Sequence, residues 1–595
     1  MPRRTDPETV IRAQVVLEEH DLSQDGRFAV VVRRFVHRDR YRSHLWLVPL
    51  EGNGKPIALT SGAVRDSGPR ISPDGGSLAF RRTLAPARLR DRKERSEGTD
   101  PDVARLRILS LLPGDKPGRT LSIRTPRDRS VGEIGWAPDG ARLAITLDAG
   151  PPRFIEGPEP KAGEEPVARR ITRIDWRWDE VGHVDRWQHV HVVKASAGAT
   201  PSQVTEGDFG VSGIAWSPDG RSIAFAADPR PEADVTPRRS IWTVAVGPAG
   251  DGTATGAMAK REVLALGGDA HSPAWSPDGR WLVAIGYVPP NALDDVSPTI
   301  VVAPSDGSAV PWPLAPDLDR PVGNWVDTDL HGWTSSSRPG PAWLDDRTVI
   351  AIVSDRGRAA PWSFPIDPST GRGSGSPAPL ATGDVAANSL GVAARSAAAP
   401  DGRVTVLATV GIAPMELLTV AAQPSKPTAH SRFGSAWARG LEWPQMRLIE
   451  VPGPAGAIET WVASPRDAGA GPLPTIVDIH GGPLGAWAPA PSLEVVLLCA
   501  RGYRVLLPNI RGSASYGADW IRPQLGDWGG VDAADVHAAI DHAIGAGLAD
   551  PERLGVLGLS YGGFMVNWLV ATSERFKAAV SENGVANQVS SWAAS

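Results

Sequence analysis

The chain has 595 residues, of which 22% are charged and 41% hydrophobic, and its net charge is −5 at pH 7. This length exceeds what one ordinary core supports, so two or more domains are expected. The weakly negative charge gives no general attraction to nucleic acid, and no run reaches the roughly 18 apolar residues of a membrane span.

The N-terminus and the cysteine content indicate a compartment. The first 21 residues lack the uninterrupted apolar core of a signal peptide. The single cysteine, Cys499, excludes an internal disulfide framework and fits a reducing environment. We therefore expect a cytoplasmic protein that binds neither nucleic acid nor membrane and needs no cofactor.

A repeated segment fills the first two-thirds of the chain. Its clearest copies are "WSPDGRSIAF" from Trp216 and "WSPDGRWLVA" from Trp275. Ser-Pro-Asp-Gly predicts a tight turn, the alternation after it predicts a strand, and the Trp is large enough to pack between neighbouring sheets. Seven copies carry the marker aspartate, at Asp25, Asp74, Asp139, Asp219, Asp278, Asp345 and Asp401.

The spacing of these copies predicts their arrangement. Intervals of 49 to 80 residues fit four short strands with loops of uneven length. A closed ring of such sheets is a β-propeller. We expect about seven blades, with six or eight left open because three copies are weak.

Two histidines within this region have a spacing found in metal sites. His189 and His191 lie two apart on a predicted strand and would face the same side. A third ligand is not evident in the sequence. We therefore interpret them as ordinary strand residues and expect no metal.

The pattern changes after residue 420. "TIVDIHGG" (475–482), "YRVLLPNIRG" (503–512) and "RLGVLGLS" (553–560) read as buried strands that alternate with helices. This alternation predicts a largely parallel sheet with helices on both faces, whose site forms beyond the carboxyl ends of the strands. The predicted fold is multidomain, β and then α/β. Its parts are an N-terminal extension with room for a short helix (1–20), the β-propeller (21–420), a linker (421–440) and an α/β-hydrolase domain (441–595).

The segment "GLSYGG" supplies a nucleophile. It has the form of a nucleophile elbow, in which Ser560 is exposed on a sharp turn from strand to helix. Gly558 and Gly562 flank the serine because the turn is too tight for side chains, and Gly563 leaves room for the helix to pack on the sheet.

An oxyanion formed at this serine needs backbone N–H donors. One is expected from Tyr561 and the other from the glycines of "HGGP", with Gly482 preferred over Gly481. His480 is predicted to shape this loop rather than to act as the base, since the loop lies on the oxyanion side. Helix-capping or other structural roles are expected for Asp527, Asp532 and Asp535, and surface or packing roles for His537 and His542.

Four motifs together resemble the prolyl oligopeptidase family of serine peptidases, and within it the acylaminoacyl-peptidase and dipeptidyl-aminopeptidase branch. They are "DIHGGP" (478–483), "NIRGSASYG" (509–517), "GDWGGVDAADV" (526–536) and "GLSYGGFM" (558–565). The resemblance implies a propeller that covers an α/β-hydrolase domain and restricts the site to short peptides. It also implies Ser560 as nucleophile, with the Gly482 and Tyr561 amides as the oxyanion hole.

The chain departs from this family pattern after Ser560. The family's triad Asp and His come from later loops, whereas residues 561–595 contain neither Asp nor His. We expect a serine peptidase whose chain is C-terminally incomplete, and hence inactive as it stands, with an open sheet edge near Phe576. The alternatives are an esterase on the same fold, a catalytically dead binding protein, and a second chain that supplies the missing strands. Homo-oligomerisation is left open.

Overall fold

A computed structural model describes residues 6–52, 54–84, 103–111, 118, 120–155, 168–178, 182–247, 260–288, 297–328, 330 and 339–594. The expectation for the N-terminal extension falls partly outside this range, at residues 1–5. Helix α1 (Pro7–Ala13) precedes the first strand and begins with an Asp6 side chain that accepts a hydrogen bond from the Thr9 N–H.

The region up to residue 429 consists of antiparallel sheets. Its strands are β1 (Val15–Leu22), β2 (Phe28–Val36), β3 (Tyr41–Pro49), β4 (Ile57–Ala58), β5 (Val64–Ile71), β6 (Ser77–Leu84), β7 (Arg105–Ser110), β8 (Thr120–Ser122), β9 (Val131–Trp136), β10 (Arg142–Ala149), β11 (Arg177–Trp178), β12 (Gly182–His183), β13 (Trp187–Lys194), β14 (Ser202–Gln203), β15 (Val211–Trp216), β16 (Ser222–Ala227), β17 (Ser240–Ala245), β18 (Lys260–Leu264), β19 (Ala270–Trp275), β20 (Trp281–Gly286), β21 (Thr299–Pro304), β22 (Trp312–Pro313), β23 (Ala342–Asp345), β24 (Thr348–Asp355), β25 (Arg358–Pro365), β26 (Ala378–Pro379), β27 (Val385–Ala393), β28 (Arg403–Val410), β29 (Ala413–Val420) and β30 (Thr428–Ala429). We call this part of the chain the β region.

Apart from the two-stranded sheet of β11 and β12, the strands of the β region pair in groups of four. Strands β9, β10, β13 and β14 form one sheet, β15–β18 the next and β19–β22 the third. Strands β1–β8 and β23–β30 form two eight-stranded sheets. In each eight-stranded sheet, one parallel bridge joins two groups of four strands. The bridge pairs Ser43 of β3 with Arg65 of β5 in the first sheet, and Ala359 of β25 with Ala386 of β27 in the second.

The repeated tryptophan links four of these groups to the group before it. The indole N–H of Trp216 donates to the carbonyl of Gly135 at 3.1 Å, and that of Trp275 donates to Ala215 at 3.1 Å. Trp136 and Trp343 make the same contact with Arg70 and Ala274. The turn prediction is also confirmed, because Asp219 accepts from the Ser217 hydroxyl at 2.6 Å and Gly220 has a φ of +67°.

The first and last groups of strands meet through a buried histidine. The two ring nitrogens of His20, on β1, lie 3.0 Å from the Ser389 hydroxyl and 2.9 Å from the Thr405 hydroxyl, on β27 and β28. Strand β1 begins at Val15, so residues 15–20 belong to the first sheet rather than to the extension predicted from the sequence. The apolar residues Val16 and Leu17 are buried there, which explains the pairing.

The predicted linker 421–440 also contains regular structure. It includes β30 and helix α2 (Phe433–Ala438). The buried carboxylate of Glu416 accepts hydrogen bonds from the N–H groups of Phe433 and Ser435, at 3.0 and 2.8 Å. This carboxylate replaces a capping side chain at the helix start and holds α2 against the last sheet.

The rest of the chain, which we call the α/β region, is built on one six-stranded sheet. Its elements are β31 (Gln445–Gly453), β32 (Gly456–Ser464), β33 (Leu473–Ile479), α3 (Leu493–Cys499), β34 (Arg504–Pro508), α4 (Ala518–Ile521), α5 (Val531–Gly545), β35 (Ala549–Leu559), α6 (Tyr561–Thr572), β36 (Ala578–Glu582) and α7 (Gln588–Ala594). The strand order is β31-β32-β34-β33-β35-β36, and the last four strands in that order run parallel. The prediction of a largely parallel sheet is therefore confirmed.

The core of the α/β region lies between the sheet and helices α5 and α6. Buried residues of the strands, such as Val477 and Val556, pack with Val536 and Ile540 of α5 and with Met565 of α6. Strand β36 lies at the edge of the sheet, and all five of its residues are exposed. Within the described part of the chain, no helix has the length and apolar character that a membrane span requires.

Candidate active site

Ser560 occupies a strained turn between β35 and α6. Its φ of 59° and ψ of −116° lie in a region that residues other than glycine rarely adopt. The residue is exposed. The turn thus presents the hydroxyl at the carboxyl end of the parallel strands, as the sequence predicted.

The glycines around Ser560 are required by close packing. A Cβ on Gly558 would lie 2.5 Å from the carbonyl carbon of Gly562, and one on Gly563 would lie 2.6 Å from the Cα of Gly584. A Cβ on Gly562 would lie less than 3.0 Å from the Ile479 carbonyl oxygen. The elbow can therefore form only because these positions carry no side chain.

The loop that follows β33 runs beside the serine. A Cβ placed on Gly481 would lie 3.4 Å from the Leu559 carbonyl oxygen and 3.7 Å from the Ser560 Cβ. Gly482 has a φ of +116°, which favours glycine. Among the described residues, none accepts a hydrogen bond from the backbone N–H of Gly482 or of Tyr561. Both amides predicted for the oxyanion hole are free to donate.

His480 is held inside this loop. Its Nδ1 lies 2.9 Å from the Gly481 carbonyl oxygen and its Nε2 lies 2.9 Å from the Ser513 hydroxyl. Complete burial lowers the pKa of His480 to about 4, so the ring is neutral at pH 7. Because a carbonyl only accepts, Nδ1 carries the proton. The Ser513 hydroxyl contacts both Nε2 and the Ile510 carbonyl, at 2.9 and 2.7 Å, so these two acceptors share its one proton. Both nitrogens are occupied, in keeping with a role in shaping the loop.

Replacing Ser513 by alanine is expected to destabilise the chain by about 1–3 kcal/mol, because it removes the hydroxyl that contacts both the buried Nε2 of His480 and the Ile510 carbonyl. The destabilisation should appear as a lower thermal midpoint at pH 7. Ser376→Ala, at an exposed position, is the matched control and should change little. An equal effect of the two substitutions would contradict the assigned hydrogen bond.

The segment "NIRG" is held by an ion pair that the sequence did not reveal. The carboxylate of Asp535, on α5, accepts from Nε and Nη2 of Arg511 at 2.9 and 2.7 Å, and from the Arg511 backbone N–H at 2.9 Å. Both side chains are buried, with 8% and 1% exposed. Asp535 therefore binds an arginine of a neighbouring loop instead of capping its own helix.

Asp532 likewise does more than cap the helix. Its carboxylate accepts from the Gly529 N–H at 2.9 Å and from the Tyr561 hydroxyl at 2.5 Å. Burial raises the pKa of both Asp532 and Tyr561, because their charged forms lose hydration in this contact. This bond anchors the ring of the residue whose amide follows Ser560.

His189 and His191 lie on strand β13 of the β region. His189 contacts the Thr205 hydroxyl and the Gly207 carbonyl, and His191 contacts the His189 carbonyl. Within the described ranges, no group of three His, Cys, Asp or Glu side chains is arranged to hold a metal ion.

The Ser560 hydroxyl has no hydrogen-bond partner among the described residues.

A serine exposed between a parallel strand and a helix, beside a glycine loop with free amides, is the arrangement of an α/β-hydrolase domain. Residues 489–595 match the model of the prolyl oligopeptidase family. The predicted family resemblance is therefore confirmed.

Known relatives extend the similarity to the β region. The chain is 27% identical over 597 residues to the uncharacterized peptidase YuxL of Bacillus subtilis, covering 98% of this chain and 82% of that protein. It is 34% identical over 172 residues to an acylamino-acid-releasing enzyme of Arabidopsis thaliana, covering 27% of this chain and 22% of that enzyme. It therefore spans most of the first relative and about a fifth of the second.

Solved structures share the fold. An acylaminoacyl peptidase of Pyrococcus horikoshii superposes with a TM-score of 0.70 at 19% identity, over 98% of this chain and 80% of that one. At this identity the likeness concerns the fold alone. The coarse prediction of a β region followed by an α/β region is confirmed.

Proposed function

We propose that the protein is a serine peptidase that hydrolyses short peptides through an acyl-enzyme at Ser560. The observation that carries the proposal is the exposed Ser560 at φ 59°, followed by the free amide of Tyr561 and lying beside the glycine loop that carries Gly482. Attack by the Ser560 oxygen on a peptide carbonyl would form an oxyanion that the two N–H groups stabilise. Acylaminoacyl-peptide, aminopeptidase and oligopeptidase specificities are all consistent with this proposal.

The proposal assigns no residue of this chain as the acid or the base of a catalytic triad. Residues 561–595 contain neither Asp nor His, and His480 is engaged within its loop. A protein made of residues 1–595 alone is therefore expected to show no peptidase activity, since a serine hydroxyl needs a base to take its proton.

The experiment compares residues 1–595 with the protein translated from the complete coding sequence. The substrates are an aminoacyl-nitroanilide, an acylaminoacyl-nitroanilide and a simple ester. Ser560→Ala is expected to lower kcat/KM of an active protein by roughly a thousandfold or more. Activity that survives Ser560→Ala would refute the nucleophile, and activity of residues 1–595 would refute the need for further residues.

The substrate panel also separates the alternatives. Turnover of the ester without either anilide would favour an esterase on this fold. Failure of all three substrates with the complete protein would favour a binding protein.

We also propose that the seven four-stranded groups of the β region are seven propeller blades that admit short peptides. The tryptophan contacts between successive groups and the His20 contacts between the first and last groups support this arrangement of blades.

A further inference from the structure

Asp327 of the β region pairs with the loop that carries Gly482, beside the apolar contacts that Ala486 and Ala488 make with the same region. Asp327 lies in the connection between β22 and β23. Its backbone N–H donates to the Ala486 carbonyl at 2.6 Å, and its carbonyl accepts from the Ala488 N–H at 3.4 Å. A short parallel bridge to Trp487 results. The loop of one region is thus paired, like a strand, with the chain of the other.

The side chain of Asp327 packs on the same loop. A Cβ on Gly485 would lie less than 3.0 Å from Oδ2 of Asp327 and 2.8 Å from the Gly481 carbonyl oxygen. Among the described residues, no donor contacts the Asp327 carboxyl. Burial raises its pKa to about 7. Such a group costs folding free energy, so its place against Gly485 calls for a functional reason.

The far side of the loop is held by the α/β region. The Trp487 N–H donates to Oδ1 of Asn509 at 2.6 Å, and its indole N–H donates to the Asp478 carbonyl at 3.1 Å. The Gly485 N–H donates to the Gly481 carbonyl at 3.3 Å. Gly481 and Gly482 therefore lie between the elbow of Ser560 on one side and a segment clamped by Asp327 on the other.

We propose that Asp327 is a positioning residue, which fixes the loop of residues 481–488 so that the Gly482 N–H faces the oxyanion formed at Ser560. This inference rests on the proposed function. It means that the β region takes part in turnover by completing the oxyanion hole, in addition to any control of substrate entry.

A second aspartate of the β region provides a matched control. The carboxylate of Asp319 accepts from the Ala518 N–H at 3.0 Å, and a Cβ on Gly517 would collide with it. This contact crosses between the same two regions and also involves an aspartate against a glycine. It reaches a different loop, so Asp319→Ala weakens the contact between the regions without touching residues 481–488.

The kinetic test uses the protein from the complete coding sequence with the substrate that it turns over. Asp327→Ala should lower kcat about tenfold or more and change KM less than about threefold, because the substrate binds but its oxyanion is poorly stabilised. Gly485→Ala should lower kcat further than Asp327→Ala does. The double variant Asp327→Ala/Gly485→Ala should recover part of the kcat lost in Gly485→Ala, because the Asp327 carboxyl no longer collides with the added Cβ. Asp319→Ala should stay within about twofold. Equal effects of Asp327→Ala and Asp319→Ala, or a change in KM alone, would overturn the proposal.

A second measurement does not depend on activity. In residues 1–595, Asp327→Ala should speed hydrogen–deuterium exchange of the amides in residues 481–488, whereas Asp319→Ala should leave them unchanged. Unchanged exchange in Asp327→Ala would overturn the positioning role even if no substrate is found. If the proposed function is wrong and Ser560 is not the nucleophile, turnover would instead survive Ser560→Ala. Failure of the proposed function and failure of the positioning role of Asp327 are therefore distinguishable.

Discussion

Gly562→Ala is expected to destabilise the α/β region by about 4 kcal/mol or more and to abolish any activity that depends on Ser560. The added Cβ would lie less than 3.0 Å from the Ile479 carbonyl oxygen, which belongs to a buried central strand. Neither the strand nor the turn can yield without breaking the elbow, and collisions of this kind account for the largest single-site effects.

Gly545→Ala is the control for this prediction. Gly545 ends helix α5, and nothing lies within 4 Å of a Cβ placed there. Since alanine is favoured over glycine in a helix, this variant should be neutral or gain up to about 1 kcal/mol. Differential scanning calorimetry measures both. If Gly562→Ala melts like Gly545→Ala, the packing described for the elbow is wrong.

Asp535→Ala is expected to destabilise the chain by about 3–5 kcal/mol, because the guanidinium of Arg511 stays buried but loses its counter-charge. The same change removes the acceptor of the Arg511 backbone N–H. The loop that carries Ser513, and through it His480, should loosen, so any activity of the complete protein should fall as well. The thermal midpoint is expected to drop by roughly 10 °C.

A surface pair on the same helix calibrates this effect. Asp541 of α5 pairs with Arg575, and 68% of the Asp541 side chain is exposed. Asp541→Ala should cost less than about 1 kcal/mol, as exposed ion pairs usually do. The double variant Arg511→Leu/Asp535→Leu should recover much of the stability lost in Asp535→Ala. Comparable losses in Asp535→Ala and Asp541→Ala would show that the buried pair contributes no more than a surface pair.

Local residue patterns were sufficient to predict the turns, the strands and the elbow. The Ser-Pro-Asp-Gly turns and the turn at Ser560 depend on contacts between residues close in the chain. Glycine tolerates the positive φ at Gly220, and its lack of a side chain lets the elbow at Gly558 and Gly562 form. Two boundaries were less predictable from the sequence. Pairing with β2 decides that strand β1 begins at Val15, and the Glu416 carboxylate decides that helix α2 forms within residues 421–440.

The partners of the buried acids could not be read from the pattern. Asp532 and Asp535 lie near the start of helix α5, where capping is the usual role. Their actual partners, Tyr561 and Arg511, lie 29 and 24 residues away. The one available signal was that these residues belong to three of the family motifs, "NIRGSASYG", "GDWGGVDAADV" and "GLSYGGFM", whose spacing does not reveal which side chains meet.

The sequence by itself determined the repeat, the order of the two regions and the serine with its glycines, because backbone conformation and strand periodicity depend on neighbouring residues. Only the tertiary structure decided that His480 is neutral and bonded to Ser513, that Arg511 pairs with Asp535, and that Asp327 packs on Gly485. Each of those contacts joins distant segments. Their strength also depends on the exclusion of water, which arises only when the sheets and helices pack together.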